Sequence, residues 1–236
     1  MAKHGKKYRE ALKLVEEDKL YQPQEAVSLL KQMNYVKFDP TVEIHMKLGV
    51  DPRHADQMVR GVAMLPAGTG KEVKVLVFAQ GEKVAEAEAA GADFVGLDDL
   101  IKQIEADWTG FDVAIATPDV MGKVGRLGKK LGPRGLMPSP KAGTITFDVA
   151  KTVRDVKAGR VEFKVDKTAL LHIPAGKLSF NEEALMANIT SVVDAVSRAR
   201  PTGAKGTYVK SVVLSSTMSP SIRLDVASAL ALKPTL

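Results

Sequence analysis

The central third of the chain alternates between short apolar runs and helical segments, and this alternation limits the folds that the chain can adopt. The runs at 73–79 and 111–116 have the composition of strands that are buried on both faces. Because helical crossovers between strands are right-handed and return to the same sheet, the order predicts a parallel sheet covered by helices. Gly91, and the pair Thr117-Pro118, have the residue types of helix ends. The strands are predicted at 73–79, 93–95 and 111–116, and the helices at 82–90, 98–106 and 118–131.

The two ends of the chain follow a different pattern, which is typical of antiparallel strands with one face in solvent. Apolar and polar residues alternate over 42–48 and again over 161–165. A helix predicted over 181–199 carries an apolar stripe that would cover such a sheet, and a further strand is predicted over 207–217. Neither end holds a complete domain alone, so we expect the two ends to form one domain together.

These patterns predict an α/β protein of two domains. The first is a split α+β, sandwich-like domain built from residues 1–67 and 159–236, and the second is an inserted Rossmann-like parallel-sheet domain of residues 68–158. The chain has 236 residues, of which 45% are hydrophobic, and this is enough for one large core or two small ones.

The segment after the third predicted helix is rich in glycine and proline. Residues 132–143 read GPRGLMPSPKAG, so they cannot continue the helix and they predict an exposed loop of defined shape. Residues 121–141 carry only positive charges, and a segment of this kind indicates a polyanionic partner, of which nucleic acid is the first candidate. The net charge of +6 agrees with such a partner. We expect the acid-rich helices of 82–107 to face away from that partner. Residues 121–141 contain no carboxylate and six basic side chains, Lys123, Arg126, Lys129, Lys130, Arg134 and Lys141.

The motifs of nucleotide-dependent enzymes are incomplete in this chain. Residues 68–71 read GTGK, but a P-loop also needs a glycine where Leu65 stands and a Ser or Thr where Glu72 stands. The glycines at 122, 125 and 128 repeat every third residue and do not form G-x-G-x-x-G after a strand. A nucleotide-dependent enzyme built on the central domain is therefore the alternative to a nucleic-acid-binding protein.

Cofactor and metal chemistry finds little support in the sequence. There is no cysteine, and the four histidines (His4, His45, His54 and His172) lack the spacing and flanking carboxylates of a metal site. We expect no metal and no cofactor. No signal peptide and no membrane-spanning apolar run is visible, so a cytoplasmic location without a membrane partner is expected.

Two polar segments at predicted strand ends have residue types that contact RNA. They are residues 37–41 (KFDPT) and 215–221 (SSTMSPS), in which hydroxyls suit ribose and phosphate while Phe38 and Met218 suit stacking. Ordinary turns, with Phe38 in the core, are the alternative. A similar polar turn contains Lys164, Asp166, Lys167 and Thr168, and here a tight hairpin is the alternative.

Several segments in combination resemble the family of ribosomal protein one of the bacterial large subunit. The resemblance covers roughly residues 1–225. The segments are 2–8 (AKHGKKY), 37–38 (KF), 49–51 (GVD), 56–57 (DQ), 59–61 (VRG), 116–122 (ATPDVMG), 132–143, 166–168 (DKT), 203–206 (GAKG) and 217–218 (TM).

The resemblance implies a non-enzymatic protein, monomeric within the ribosome, with a split domain and an inserted Rossmann-like one. The split domain would grip the large-subunit rRNA stalk element beside the tRNA exit site. Exit-site tRNA and the protein's own mRNA would be further partners, and a regulator of mRNA away from the ribosome would suit the same surface. The family's rRNA contacts fall on Lys37, Phe38, Thr41, Glu43, Lys164, Asp166, Lys167, Thr168, Ser211, Thr217, Met218 and Ser219.

The chain departs from the family pattern at three positions. The usual Thr-Met-Gly ends here in Ser219, whose side chain would crowd the RNA or donate a new hydrogen bond. The usual Met-Pro-Asn-Pro-Lys contains Ser139, and the usual Asn-Asp-Lys begins with Val165. Only the first departure concerns an expected RNA contact.

Overall fold

The computed structural model describes residues 5–16 and 18–233, and the chain divides into two compact units. Residues 1–70 and 161–236 form the first unit, and residues 71–160 form the second. The strands are β1 (Thr41–Leu48), β2 (Arg60–Met64), β3 (Val75–Phe78), β4 (Phe94–Gly96), β5 (Val113–Ala116), β6 (Arg160–Lys164), β7 (Leu170–Lys177), β8 (Val209–Ser216) and β9 (Ile222–Leu224). The α-helices are α1 (Lys6–Leu12), α2 (Pro23–Gln32), α3 (Glu82–Ala89), α4 (Asp98–Glu105), α5 (Met121–Val124), α6 (Gly128–Leu131), α7 (Val149–Lys157), α8 (Glu182–Arg198) and α9 (Val226–Leu230).

The first unit is built on a four-stranded antiparallel sheet in the order β7-β1-β8-β9, with β1 and β8 in its middle. The predicted alternation in β1 is confirmed, because Val42, Ile44, Met46 and Leu48 are buried while the residues between them are not. Helices α2 and α8 pack on each other and supply apolar residues to the same core as β1. The predicted helix over 181–199 is α8, and it also packs on β2, which pairs with β6 in a separate two-stranded sheet.

One polar side chain lies within the core of the first unit. Asn188 on α8 is fully buried and all of its hydrogen-bonding atoms have partners. Its Nδ2 donates to the carbonyl oxygens of Gly68 (3.0 Å) and Ala175 (2.8 Å), and its Oδ1 accepts from the amide of Ala67 (3.0 Å). Asn188 thus fixes the chain after β2 against α8 and β7, since each buried polar group needs a partner.

The second unit contains the predicted parallel sheet, in the order β4-β3-β5. Helices cover both of its faces. Leu76 and Phe78 point into a core that includes residues of α4–α6, and Val75 and Val77 point into one that includes residues of α3 and α7. As predicted, Gly91 ends the first helix of this unit in a left-handed conformation, with φ +89°.

The predicted helix over 118–131 is wrong as a continuous element. It is divided into 3-10 turns at Pro118–Val120 and Gly125–Leu127, followed respectively by the single turns α5 and α6. The glycines at 122, 125 and 128 lower the stability of a continuous helix. A Cβ at any of these three positions would meet no atom within 4 Å, so close packing does not require glycine there. The four short turns still present one apolar face to the core, because Val120, Val124, Leu127 and Leu131 are all buried.

Candidate nucleic-acid interface

The four-stranded sheet leaves one side uncovered by its own helices, which we call the outer sheet face. Side chains along a strand alternate between two faces, so the residues that alternate with the buried ones share this side. The register pairs Glu43 with Ser215, His45 with His172 and Lys47 with Ser211. The outer sheet face comprises Thr41, Glu43, His45 and Lys47 of β1, His172 of β7, Ser211 and Ser215 of β8, and Arg223 of β9.

At one end of this face, two of the predicted site segments meet. The amide of Thr217 donates to the carbonyl of Thr41 at 3.0 Å, and the amide of Thr41 donates to the Thr217 hydroxyl at 3.2 Å. Lys37 is exposed, and Phe38 is 53% exposed, so the alternative in which Phe38 lies in the core is wrong. The structure therefore brings Thr41 and Thr217 together at the edge of the outer sheet face.

Met218 sits in a turn whose backbone is held in an uncommon conformation. Its φ is +73°, which is unfavourable for a residue with a Cβ, and its side chain is 64% exposed. The amide of Ser219 donates to the carbonyl of Ser216 at 2.9 Å, and the hydroxyl of Tyr35 donates to the Met218 carbonyl. A strained residue held in place by its surroundings is common at binding sites.

Ser219 uses its hydroxyl to close this turn. Its Oγ accepts from the amide of Ser216 at 2.9 Å and donates to the carbonyl of Pro220 at 2.9 Å. The serine that replaces the usual glycine therefore stabilises the turn that presents Met218, and both of these hydrogen bonds are internal to the protein.

At the other end of the outer sheet face lies the turn between β6 and β7. Asp166 Oδ1 accepts from the amides of Thr168 and Leu170, each at 2.8 Å, and the Thr168 hydroxyl donates to Oδ2 at 2.6 Å. Partial desolvation opposes ionisation, but these hydrogen bonds outweigh it and lower the pKa of Asp166. Lys164 and Lys167 are exposed beside it. The turn is tight, because the amide of Asp166 donates to the carbonyl of Leu170 at 2.9 Å. The strands on either side of it do not pair with each other as a hairpin, since β6 pairs with β2 and β7 pairs with β1.

Two histidines occupy the middle of the outer sheet face. The Nδ1 atoms of His45 and His172 are 2.8 Å apart and the rings meet edge to face, while His45 Nε2 lies 2.9 Å from Ser215 Oγ. Burial and the neighbouring His172 lower the pKa of His45, and the carboxylate of Glu43 opposes them. The described residues contain no group of three or more His, Asp or Glu side chains placed to hold a metal ion. His4 lies outside the described residues.

The outer sheet face runs the whole length of β1. The turn at 217–219 adjoins the start of β1, while the amide of Leu48 at its other end donates to the carbonyl of Ala169 at 2.9 Å. Eight residues of strand separate the two ends, a span of about 23 Å. A surface of this length suits an extended partner.

The basic segment of the second unit is partly neutralised by acidic residues of helix α4 and the turn after it. Lys123 forms an ion pair with Asp98 at 3.0 Å, and Lys130 pairs with Asp107 at 2.7 Å. Acidic side chains at Asp98 and Asp107 therefore lie beside the basic segment, and the expectation that the acid-rich helices face away from a polyanionic partner stays a prediction. The Lys130 ammonium lowers the pKa of Asp107. Arg134 donates to the hydroxyl of Thr109, whereas Arg126, Lys129 and Lys141 pair with no acidic side chain of the described residues.

An extended sheet face with hydroxyls, exposed lysines, a phenylalanine and a thioether is the kind of surface with which RNA-binding proteins contact ribose, phosphate and base. Residues 30–220 match the model of the Ribosomal protein L1p/L10e family. The chain belongs to that family. It is a large-subunit ribosomal protein that binds rRNA, from a family of structural ribosomal proteins rather than enzymes.

No helix among residues 5–16 and 18–233 is long and apolar enough to cross a membrane.

Proposed function

We propose that this chain is a structural, non-enzymatic component of the large subunit that binds the rRNA of the mobile stalk beside the tRNA exit site. The observation that carries the proposal is the outer sheet face, on which Thr41, Glu43 and Ser211 lie between the turns at 166–168 and 217–219. The protein acts as a monomer within cytoplasmic ribosomes, without a cofactor.

The outer sheet face recognises the shape of the RNA and contacts its ribose and phosphate groups. The hydroxyls of Thr41, Ser211 and Thr217 and the carboxylate of Glu43 exchange hydrogen bonds with ribose 2′-hydroxyls, which distinguish RNA from DNA. Exposed Phe38 and Met218 pack against sugars or bases at one end. Lys37, Lys164 and Lys167 neutralise phosphates at the two ends, which adds affinity without reading sequence.

The basic segment of the second unit serves a different RNA. We propose that Arg126, Lys129 and Lys141 contact exit-site tRNA and assist the release of deacylated tRNA. Their support is charge, because these three exposed cations pair with no acidic side chain in the part of the chain that the structure describes. Lys123, Lys130 and Arg134 hold the segment against α4 and its following turn, and they contribute less.

The outer sheet face also suits a messenger RNA that imitates the rRNA element. We propose that the protein represses translation of its own message by binding such an element. Comparing translation of a reporter that carries the leader of this message with one that carries a scrambled leader tests the proposal. Equal translation of the two in the presence of added protein would refute it. Migration with large subunits in a sucrose gradient separates a ribosomal protein from a regulator that acts away from the ribosome.

The direct test of the proposed rRNA surface compares two exposed phenylalanines. Phe38 lies beside the outer sheet face, and Phe147 lies in the second unit and is 57% exposed. We expect Phe38→Ala to weaken binding of the rRNA stalk element by about tenfold, since stacking contributes about 1–3 kcal/mol per base. Phe147→Ala should leave binding within about twofold of the parent, because it lies outside the surface. Equal effects of the two substitutions would contradict the assignment.

A further inference from the structure

A groove of about 560 Å³ opens between the turn that presents Met218 and the start of α1. It belongs to the first unit, and its walls are largely apolar. Because Met218 and Ser219 belong both to this groove and to the expected rRNA surface, the groove continues that surface. Its walls include Lys6, Lys7, Tyr8, Tyr35, Met218 and Ser219.

One wall of the groove is fixed before any partner arrives. The hydroxyl of Tyr35 donates to the Met218 carbonyl, which holds the phenol ring against the turn. Ser219 closes the same turn from within through Ser216 and Pro220. A site that is already formed loses little conformational entropy when a ligand enters, so a prearranged wall favours binding.

The chemistry of the groove fits one kind of ligand. Two phenol rings and a thioether offer flat and polarisable surfaces, and such side chains stack on nucleobases. Two ammonium groups on the same helix, Lys6 and Lys7, can neutralise phosphates beside it. None of the lining residues is acidic. A planar, apolar group attached to a negatively charged backbone matches this combination.

We propose that the groove takes a single unpaired nucleobase of the bound rRNA, turned out of its own stack. Its volume is within the range of small-ligand pockets and is far too small for a duplex. Unpaired bases that stack on aromatic side chains are a usual means by which proteins read RNA. This assignment rests on the proposed rRNA-binding function and adds a contact that is specific for a base.

The test uses the stalk rRNA element with 2-aminopurine placed singly at each unpaired position, and the full-length protein. We expect one position to change its fluorescence on binding, and removal of the base at that position to weaken binding by about tenfold. Tyr8→Leu removes a ring from the groove and should abolish that change with a similar loss of affinity. Tyr8→Phe keeps the ring and should preserve both.

A second pair of variants tests the charges beside the groove and leaves its aromatic side chains unchanged. Lys7→Gln removes a cation that lines the groove, while Lys13→Gln removes an exposed cation that follows the same helix and lies outside it. We expect only Lys7→Gln to lower the salt dependence of binding to the intact element.

The outcomes separate this inference from the function on which it rests. If the parent protein binds the stalk element, but no position responds and an abasic site is tolerated everywhere, the groove does not hold a base and the rRNA-binding function stands. If the parent protein does not bind the element, both the function and the groove assignment are wrong. A fluorescence change that persists in Tyr8→Leu would place the responding base elsewhere on the protein and would overturn the assignment.

Discussion

Thr41 and Thr217 are joined by three hydrogen bonds across one end of the four-stranded sheet, although 176 residues separate them in the chain. The Thr217 amide donates to the Thr41 carbonyl at 3.0 Å. The Thr217 hydroxyl accepts from the Thr41 amide at 3.2 Å and donates to the Thr41 carbonyl at 3.4 Å. The hydroxyl of Thr217 therefore holds the edge of the outer sheet face together and also lies where RNA is expected.

Replacing Thr217 tests this double role. We expect Thr217→Val to weaken binding of the rRNA stalk element by about tenfold, since lost hydrogen bonds at a specific contact cost roughly 1–3 kcal/mol. Lys129→Ala should weaken it by less than about twofold, because an exposed and isolated charge is screened. Thr217→Ser keeps the hydroxyl and should bind nearly as well as the parent. Equal losses for Thr217→Val and Lys129→Ala in a direct binding assay would contradict the assignment.

The histidine pair on the outer sheet face should make folding stability depend on pH. The folded protein lowers the pKa of His45 from 6.5, so the unfolded chain takes up that proton first. Stability is therefore fully present above about pH 6.5 and falls as the pH drops through that value towards the lowered pKa. The short contact between the two Nδ1 atoms adds to this, because two fully protonated rings cannot share a hydrogen bond.

The measurement is denaturant unfolding at about pH 7.5 and about pH 5.5. His45→Gln should reduce the loss of stability between these two conditions. His54→Gln, which removes an exposed histidine 4.0 Å from Asp51, should leave that loss unchanged. An identical loss in the parent and in His45→Gln would show that the pair does not carry the pH dependence.

Gly61 lies against a buried aromatic ring, and this contact leaves no room for a side chain. A Cβ at Gly61 would lie 2.7 Å from Cζ of Phe163, which is itself 2% exposed. We expect Gly61→Ala to lower the free energy of unfolding by about 1–3 kcal/mol through overpacking. Gly122→Ala, at a helical position of the second unit where a Cβ would meet no atom within 4 Å, should not lower it. Unfolding followed by circular dichroism measures both, and equal stabilities would disprove the packing argument.

The sequence predicted those elements whose hydrophobic period is regular. The alternation in β1 and the apolar runs of β3 and β5 follow from the burial of one face or of both faces, so each strand could be recognised alone. Strand β7 was missed, since Pro174 and Gly176 interrupt its pattern and its pairing with β1 shifts between Val42 and Glu43. Helices α2 and α7 were also missed, although both contribute buried apolar residues to a core.

The details of the candidate site depend on contacts between residues that are distant in the chain. His45 and His172 lie 127 residues apart, and only the strand register brings their rings together. The pairing of Lys123 with Asp98 and of Lys130 with Asp107 depends on how the broken helix folds over α4. Asn188 occurs within an apolar helix pattern, and nothing in its sequence context indicates that it binds the backbone of residues 67 and 68. Periodicity reports burial, whereas these contacts require the tertiary fold.

The central claim is that the outer sheet face recognises one rRNA element specifically. Equilibrium binding to the stalk element and to a scrambled hairpin of the same composition, across a salt series, tests it most directly. We predict a preference of at least about a hundredfold for the stalk element that persists at high salt. A purely electrostatic binder would have the same affinity for both RNAs. For each RNA, the logarithm of its affinity would fall linearly with the logarithm of the salt concentration, with a slope of about −0.7 to −0.9 per neutralised phosphate. That second result would contradict the account.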